Sequence, residues 1–282
     1  MLDLLKNKLT SLKPTGTEVA KTGAPLDDEA HIEASKAPLM DHLIELRQRL
    51  IKSIVGFLAT FLFCFMFSKQ IYNILAWPYL SQVPPEFPVK MIATGLFEQF
   101  FTQIKVAMFG GAFLSFPWVA NQIYKFVAPG LYKNERDAFW PYLVATPVFF
   151  MLGAMVVYFL AMPMVVRFAF ANMEGTDAQL MLRVQEYLGT LMTLIFGFGI
   201  CFQLPVILTL LARANMFGSA ELRKFRNYAW LGIAVIAAVL TPPDPLSMIA
   251  LMVPTGLLYE LAIFAVVHIV EKPRLERDKA GT

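Results

Sequence analysis

The stretch YLVATPVFFMLGAMVVYFLAMPMVVRFAF, residues 142–170, is apolar over almost its whole length and contains one charged residue, Arg167. An α-helix needs about 20 apolar residues to cross the hydrocarbon core of a bilayer, and this run is longer. Its polar and apolar residues do not alternate with the period of two that is typical of a strand in a membrane barrel. The stretch therefore predicts a transmembrane helix and indicates a membrane protein.

Five similar runs accompany this one, and together they predict an all-α membrane protein with six transmembrane helices. The other five predicted spans are residues 50–67, 106–124, 187–212, 228–240 and 246–269. The composition agrees, because 57% of the residues are hydrophobic and only 16% are charged. A soluble domain is typically about 45–50% apolar and about 25% charged.

The last two spans are predicted to be short. The fifth would cover only about 20 Å of a hydrocarbon core that is about 30 Å thick. The sixth meets Pro254 and then Glu260 partway along, and a polar boundary at Glu260 would shorten it too. We therefore expect a concave bundle whose short fifth and sixth helices thin the bilayer beside them.

Basic residues predict the orientation and the division of the chain. Of the 24 Lys and Arg residues, 19 lie before or at the first span, in the second-to-third and fourth-to-fifth connections, and in the tail. The positive-inside rule then puts both termini in the cytoplasm. We predict a flexible cytoplasmic extension at 1–38, a six-helix transmembrane domain at 39–270 and a cytoplasmic tail at 271–282. The extension lacks the apolar core of a signal peptide.

Several kinds of site are not expected from the sequence. Cys64 and Cys201 lie far apart within apolar runs, and His31, His42 and His268 are scattered. These residues do not form the closely spaced set that holds a metal ion. A phosphate-binding GxxxxGK loop is also missing from the sequence, so we expect no ATPase or GTPase site in this chain. We predict no metal, no cofactor, no nucleic-acid partner and no enzymatic activity.

The segment MDHLIELRQRL, residues 40–50, places charge directly before the first span. Read as a helix, it has a stripe of leucines on one side, while Glu45 and Arg49 are four residues apart and can pair. On spacing alone, an interfacial amphipathic helix with solvated charges explains this pattern better than a binding site. A carboxylate held here would nevertheless bind a cationic peptide well, because arginine–carboxylate pairs are bidentate and directional.

Two further segments carry carboxylates near the predicted membrane surfaces. FVAPGLYKNERD, residues 126–137, breaks a helix at Pro129–Gly130 and places Glu135 in a polar turn. Taken alone, Glu135 is an ordinary loop carboxylate, but it is predicted to face the same compartment as Glu45. LTPPDP, residues 240–245, ends the fifth span at two prolines, and Asp244 can cap the sixth helix.

The segment CFQLPV, residues 201–206, places an amide within the fourth predicted span. Gln203 comes two residues before Pro205, which favours a kink because proline leaves a backbone carbonyl without its donor. A buried amide most simply joins neighbouring helices, at about 0.6 kcal/mol per hydrogen bond. A polar group beside a kink can also contact a partner helix or a substrate, and both readings stay open.

The connection at residues 68–105 is long and contains Pro78, Pro84, Pro85 and Pro88. Such a density of proline stiffens a segment. We prefer a structured cap to a simple connector here.

The segments HLIELRQRL, FVAPGLYKNER, FQLPV and LTPPD occur in this order across six predicted spans. In this, residues 39–270 resemble the TatC family, the multispanning subunit of the twin-arginine protein translocase. The resemblance implies that Glu45 and Glu135 recognise the paired arginines of export signal peptides. Two fixed carboxylates suit two adjacent guanidinium groups. Arg47 would orient Glu45 or bind a neighbouring group.

The resemblance also assigns structural or partner-contact roles. Phe126 and Pro78 match positions that the family pattern marks for loop and helix placement, and Asp244 matches an aspartate at the outer end. Gln203 stands where the family often has a glutamate. An amide both donates and accepts hydrogen bonds, so a docking role survives the change, but a proton-linked role does not.

The partners that the resemblance implies are single-span subunits of the TatA and TatB type, lying along the fifth and sixth helices. Gln203 would lie in a groove that faces lipid, and several copies of the chain would join in the complex. The cargo would be folded proteins, exported with the proton gradient across a bacterial cytoplasmic membrane.

Two other function classes remain. A secondary transporter of small solutes usually shows internal repeats and charged or broken segments at the midplane. We see no repeat, and spans four and five contain no Asp, Glu, Lys or Arg. A structural membrane scaffold is the other alternative.

Overall fold

The computed structural model describes residues 26–83, 91–127, 140–172, 182–241 and 245–272. These residues are almost entirely helical, and the single β-bridge among them joins Ile92 to Arg183 in parallel. The all-α prediction is therefore confirmed. The chain divides into two compact units, residues 1–47 and 48–282, and each is considered by itself below.

Within residues 26–83 and 91–127, the structure describes three helices. They are α1 at Leu26–Met66, α2 at Ser68–Leu80 and α3 at Glu98–Val127. Helix α1 begins inside the segment that the sequence predicts to be a flexible extension, so residues 26–38 are helical. Alanine and glutamate, which favour helix, account for five of these 13 residues.

The structure describes further helices from residue 140 onwards. One π-helical turn joins two of these helices, and another follows the last of them. They are α4 at Trp140–Val156, a π turn at Val157–Ala161, α5 at Met162–Ala171, α6 at Val184–Cys201, α7 at Leu204–Arg213, α8 at Ser219–Lys224, α9 at Arg226–Leu240, α10 at Pro245–Ala265 and a π turn at Val266–Glu271. Both π turns extend a long helix rather than ending it.

Each predicted span corresponds to a helical stretch. Among the described residues, four stretches are both long and apolar enough to cross a membrane, namely His42–Met66, Pro141–Ala171, Val184–Arg213 and Ser247–Glu271. Helix α3 has 30 residues. Helix α9 is apolar but has 15 residues, which cover about 22 Å, so the short fifth helix is confirmed.

The sixth helix is longer than we expected. It does not end near Glu260 but runs through Ala265 and on through the π turn to Glu271. The helix continues because glutamate is a good helix former, and the charge of Glu260 is paired with Arg226 at 2.7 Å. The expectation of two short helices therefore holds for the length of α9 and not for that of α10.

The main core forms around α6, at the centre of the 48–282 unit. In the fourth span, 67% of the residues in its apolar 18-residue segment are buried against other helices. The core side chains of α6 include Leu188, Leu191, Leu194 and Phe198. Gly153 allows α4 to pack closely against α6, because a Cβ at this position would lie only 2.8 Å from the carbonyl oxygen of Phe198. Small residues allow this close packing of membrane helices.

Candidate functional site

The fourth span is broken in its middle. Helix α6 ends at Cys201, and α7 begins at Leu204 with Pro205 in its first turn. Proline is tolerated there because the first turn of a helix has no internal acceptor for its N–H groups. The break places Gln203 between the two helices, as the sequence around Pro205 indicated.

Gln203 is a buried link between the third and fourth spans. Its side chain is 6% exposed, and Nε2 donates to the carbonyl oxygens of Thr146 at 3.1 Å and Gly199 at 3.3 Å. The hydroxyls of Thr146 and Tyr124 lie 2.6 Å apart, which extends the link to α3. Gln203 Oε1 has no hydrogen-bond partner among the described residues. The amide therefore joins helices through its donor side and keeps one buried acceptor.

An apolar groove lies beside this break. It has a volume of about 210 Å³, and its lining includes Tyr142 and Phe149 of α4, Pro205 and Val206 of α7, and Leu261 of α10. It lies between the third, fourth and sixth spans. We expected Gln203 to lie inside such a groove, but the lining contributed by the fourth span starts at Pro205 and does not include Gln203.

On the predicted outer side, the connection between the first and second spans contacts the connection between the third and fourth spans. Backbone hydrogen bonds and one ion pair join them. Ile92 N–H donates to the Leu182 carbonyl at 3.0 Å, and Val184 N–H donates to the Ile92 carbonyl at 3.1 Å. Arg183 Nη2 lies 3.7 Å from Glu98 Oε2. In its described residues, the 68–105 connection is thus a structured cap.

Glu98 organises this cap from the first turn of α3. Its Oε2 accepts hydrogen bonds from the Thr94 N–H at 2.7 Å, the Gly95 N–H at 3.0 Å and the Thr94 hydroxyl at 3.1 Å. The N–H groups of Thr94 and Gly95 are the main reason why the pKa of the Glu98 carboxyl falls to about 2, and Arg183 adds a smaller effect in the same direction. Glu98 is therefore a fixed anion at neutral pH.

Pro78 lies buried within α2. A proline cannot donate to the carbonyl four residues earlier, which here belongs to Ile74. The hydroxyl of Tyr158 donates to that carbonyl at 2.7 Å. Tyr158 therefore supplies the donor that Pro78 cannot give to the Ile74 carbonyl. The predicted role of Pro78 in helix placement stays a prediction.

Arg167, the charged residue of the third predicted span, has a hydrogen-bond partner in the 68–105 connection. Arg167 Nε donates to Oε1 of Gln82, just beyond the end of α2. A charge within a membrane helix usually requires such a partner. Arg167 therefore secures α5 to the first connection.

The predicted signal-peptide residues are only partly described. Glu45 lies partly buried and Arg47 exposed on α1, and Phe126 is partly buried near the end of α3. Glu135 and Asp244 lie outside the described residues. The meeting of Glu45 with Glu135 therefore stays a prediction.

Two polar links near the ends of α9 and α10 were not anticipated. Arg226 Nη2 contacts Glu260 Oε2 at 2.7 Å. Glu271 accepts from the Ser219 N–H at 2.6 Å and from the Ser219 hydroxyl at 2.7 Å, at the start of α8. The signal for the first link was Glu260 itself, because a charge within an apolar run calls for a partner. The sequence held no comparable signal for Glu271.

Comparisons with known proteins agree with this architecture. The family model of the Sec-independent protein translocase protein (TatC) matches residues 41–254. The Sec-independent protein translocase protein TatC of Magnetococcus marinus is 41% identical over 245 residues, which are 87% of this chain and 89% of that protein. The TatC of Escherichia coli strain K12 is 36% identical over 227 residues, covering 80% of this chain and 87% of that protein.

Solved structures give the same result in three dimensions. A crystal structure of the twin-arginine translocase receptor TatC in DDM matches with a TM-score of 0.71 at 34% identity, over 80% of this chain and 99% of that one. Another crystal structure of this receptor matches with a TM-score of 0.69, over 79% and 96% of the two chains. The chain therefore belongs to the TatC family and is a multi-pass membrane protein.

Proposed function

We propose that this chain is the multispanning subunit of a Sec-independent translocase and recognises twin-arginine signal peptides of folded proteins. The observation that carries the proposal is the match to the twin-arginine translocase receptor TatC over 80% of this chain. The subunit is not an enzyme, and the proton gradient would drive export. No structural observation favours the alternative of a small-solute transporter.

Glu45 and Glu135 are the proposed receptors for the two arginines. Glu45 is supported by its place on α1 in the first turn of the stretch His42–Met66, where it is partly buried. A carboxylate that is partly removed from water binds a guanidinium more strongly than one in bulk solution. Arg47, two residues on, would orient Glu45 or bind a neighbouring group of the peptide.

The partner subunits are proposed to lie along α9 and α10. Leu231, Val235 and Val239 recur at intervals of four along α9, so they share one face, and they are 63%, 56% and 79% exposed. A single-span helix or lipid would cover this face. Gln203 can contact such a partner through Oε1 only if the third and fourth spans separate, because the residue is buried in the link between them.

The proposed location is the bacterial cytoplasmic membrane, with both termini in the cytoplasm. The supporting observation is the concentration of 19 of the 24 basic residues in the segments on one predicted side. In this topology the Glu98 cap faces outward and the α8 segment faces the cytoplasm. Several copies of the chain are proposed to join in the active complex.

Photocrosslinking tests the signal-peptide proposal. A photoreactive residue at each of positions 131–136 in turn should crosslink to a twin-arginine peptide, and the crosslink should be lost when both arginines are replaced by lysine. The double variant Glu45→Ala/Glu135→Ala should insert in the membrane but lose the crosslink and export. The matched control Glu186→Ala removes an exposed carboxylate on the predicted outer side and should change neither. Unchanged export by the double variant would refute the assignment.

A further inference from the structure

A basic cavity lies where the end of α8 and the start of α9 face the last turns of α10 and the π turn that follows it. Its volume is about 420 Å³, and its polar lining consists of Arg223, Arg226, Glu260 and His268. Two guanidinium groups therefore share the cavity with one carboxylate. This balance favours an anionic ligand.

The two arginines of the cavity differ in whether they have an ion-pair partner. Arg226 is held by Glu260 at 2.7 Å, and the two side chains remain 49% and 35% exposed. The Arg223 side chain is exposed and forms no hydrogen bond or ion pair with any described residue. A guanidinium presents its N–H donors in a planar fork that matches the oxygens of a phosphate. Arg223 is thus the cation of the cavity that is available to a ligand.

His268 adds a polar edge to the same cavity. Its Nδ1 lies 3.0 Å from the carbonyl oxygen of Phe264, and its ring stacks on the Phe264 ring with centroids 4.0 Å apart. When Nδ1 carries the proton and donates to that carbonyl, Nε2 is left for another partner.

An exposed apolar stripe leads from the membrane interior to this cavity. Leu257, Leu261 and Phe264 follow one another at helical spacing on α10, and they are 63%, 47% and 59% exposed. On α9, Tyr228 is 71% exposed. A ligand with an anionic head and an apolar tail would satisfy both parts of this surface.

We propose that this cavity binds the phosphate of an anionic phospholipid of the phosphatidylglycerol type, with its acyl chain along the stripe on α10. Basic pockets between membrane helices bind anionic head groups in this way. The site does not depend on signal-peptide recognition. In the topology proposed above it faces the inner leaflet, and the bound lipid would set the depth of the short α9.

Native mass spectrometry of the full-length protein in detergent tests the proposal. Phosphatidylglycerol should bind in preference to phosphatidylcholine at equal concentration. Arg223→Gln should weaken phosphatidylglycerol binding about fivefold, as expected for one arginine at a head group. The matched control Lys224→Gln removes the same charge from the neighbouring residue, which does not line the cavity, and should weaken binding less than about twofold.

A second variant is expected to strengthen the binding of phosphatidylglycerol. Glu260→Gln removes the only carboxylate from the lining and frees Arg226, so phosphatidylglycerol should bind more tightly by a similar factor. Equal binding of the two lipids, or equal losses for Arg223→Gln and Lys224→Gln, would overturn the proposal. Displacement of the lipid by millimolar inorganic phosphate would also overturn it, since the site would then take a soluble anion. Unchanged or weaker binding by Glu260→Gln would count against it too.

Discussion

The hydroxyl of Tyr158 replaces the backbone donor that Pro78 removes from α2. It donates at 2.7 Å to the Ile74 carbonyl, four residues before the proline. Tyr158 belongs to the π turn of the third span, and Tyr187 of α6 donates in the same way to the next carbonyl, that of Leu75, at 3.2 Å. Two other spans therefore hold α2 through the backbone carbonyls of Ile74 and Leu75.

Tyr158→Phe should destabilise the protein by about 1–2 kcal/mol, because the Ile74 carbonyl would lose its donor. Unfolding in detergent, followed by circular dichroism, measures the change. The control Tyr228→Phe alters an exposed tyrosine and should have little effect. In Pro78→Ala the backbone N–H returns, so the cost of Tyr158→Phe should shrink in that background. Strictly additive effects of the two changes would contradict the relationship.

Acid should loosen the cap that Glu98 organises. The pKa of Glu98 is lowered from 4.5 to about 2 in the folded protein, so its contribution is complete above pH 4.5 and is lost as the pH falls towards 2. The protection factors of the Ile92 and Val184 amides, which correct the exchange rate for the intrinsic effect of pH, should fall over this window. Glu98→Gln should raise both exchange rates at neutral pH, on the order of tenfold, and remove much of the acid dependence of the protection factors.

The control for this experiment is Glu186→Gln, because Glu186 contacts Arg183 at 3.2 Å but is largely exposed. Exposed pairs contribute little to stability, so its exchange rates should stay near those of the unmodified protein. Equal acceleration by both variants would show that Glu98 has no special role.

Gln203→Leu should weaken the association with single-span partner subunits more than it weakens signal-peptide binding. The change removes the hydrogen bonds to Thr146 and Gly199, and with them about 0.6 kcal/mol for each link between helices. Co-purification and peptide crosslinking measure the two effects separately. Gln185→Leu, near the start of α6, is the matched control. Normal co-purification would mean that Gln203 only joins helices within this chain.

The bilayer should be thinner beside α9 than beside the other spans. The 15 residues of α9 cover about 22 Å, and the Arg226–Glu260 pair lies at one end of this length. A hydrocarbon core of about 30 Å would bury the pair, at considerable cost. Depth measurements with spin labels on α9 and α6 test this expectation. A flat membrane of full thickness at both helices would contradict it.

The sequence predicted the broad architecture well because the information for it is local. An apolar run long enough to span a bilayer must satisfy its own backbone hydrogen bonds, so the six runs could only become helices. Pro205 likewise marked the break in the fourth span, because a proline interrupts the hydrogen bonding of its own helix. The family could be recognised from four short segments in order.

Only the tertiary structure decided which polar groups meet. Glu98 and Arg183 lie on different connections, and Tyr158 and Ile74 lie on different helices, so neither pairing is visible in a local pattern. The same holds for Glu260 of α10, whose charge is paired with Arg226 on another helix. Buried polar groups in a membrane must find partners, but folding selects which distant residue becomes the partner.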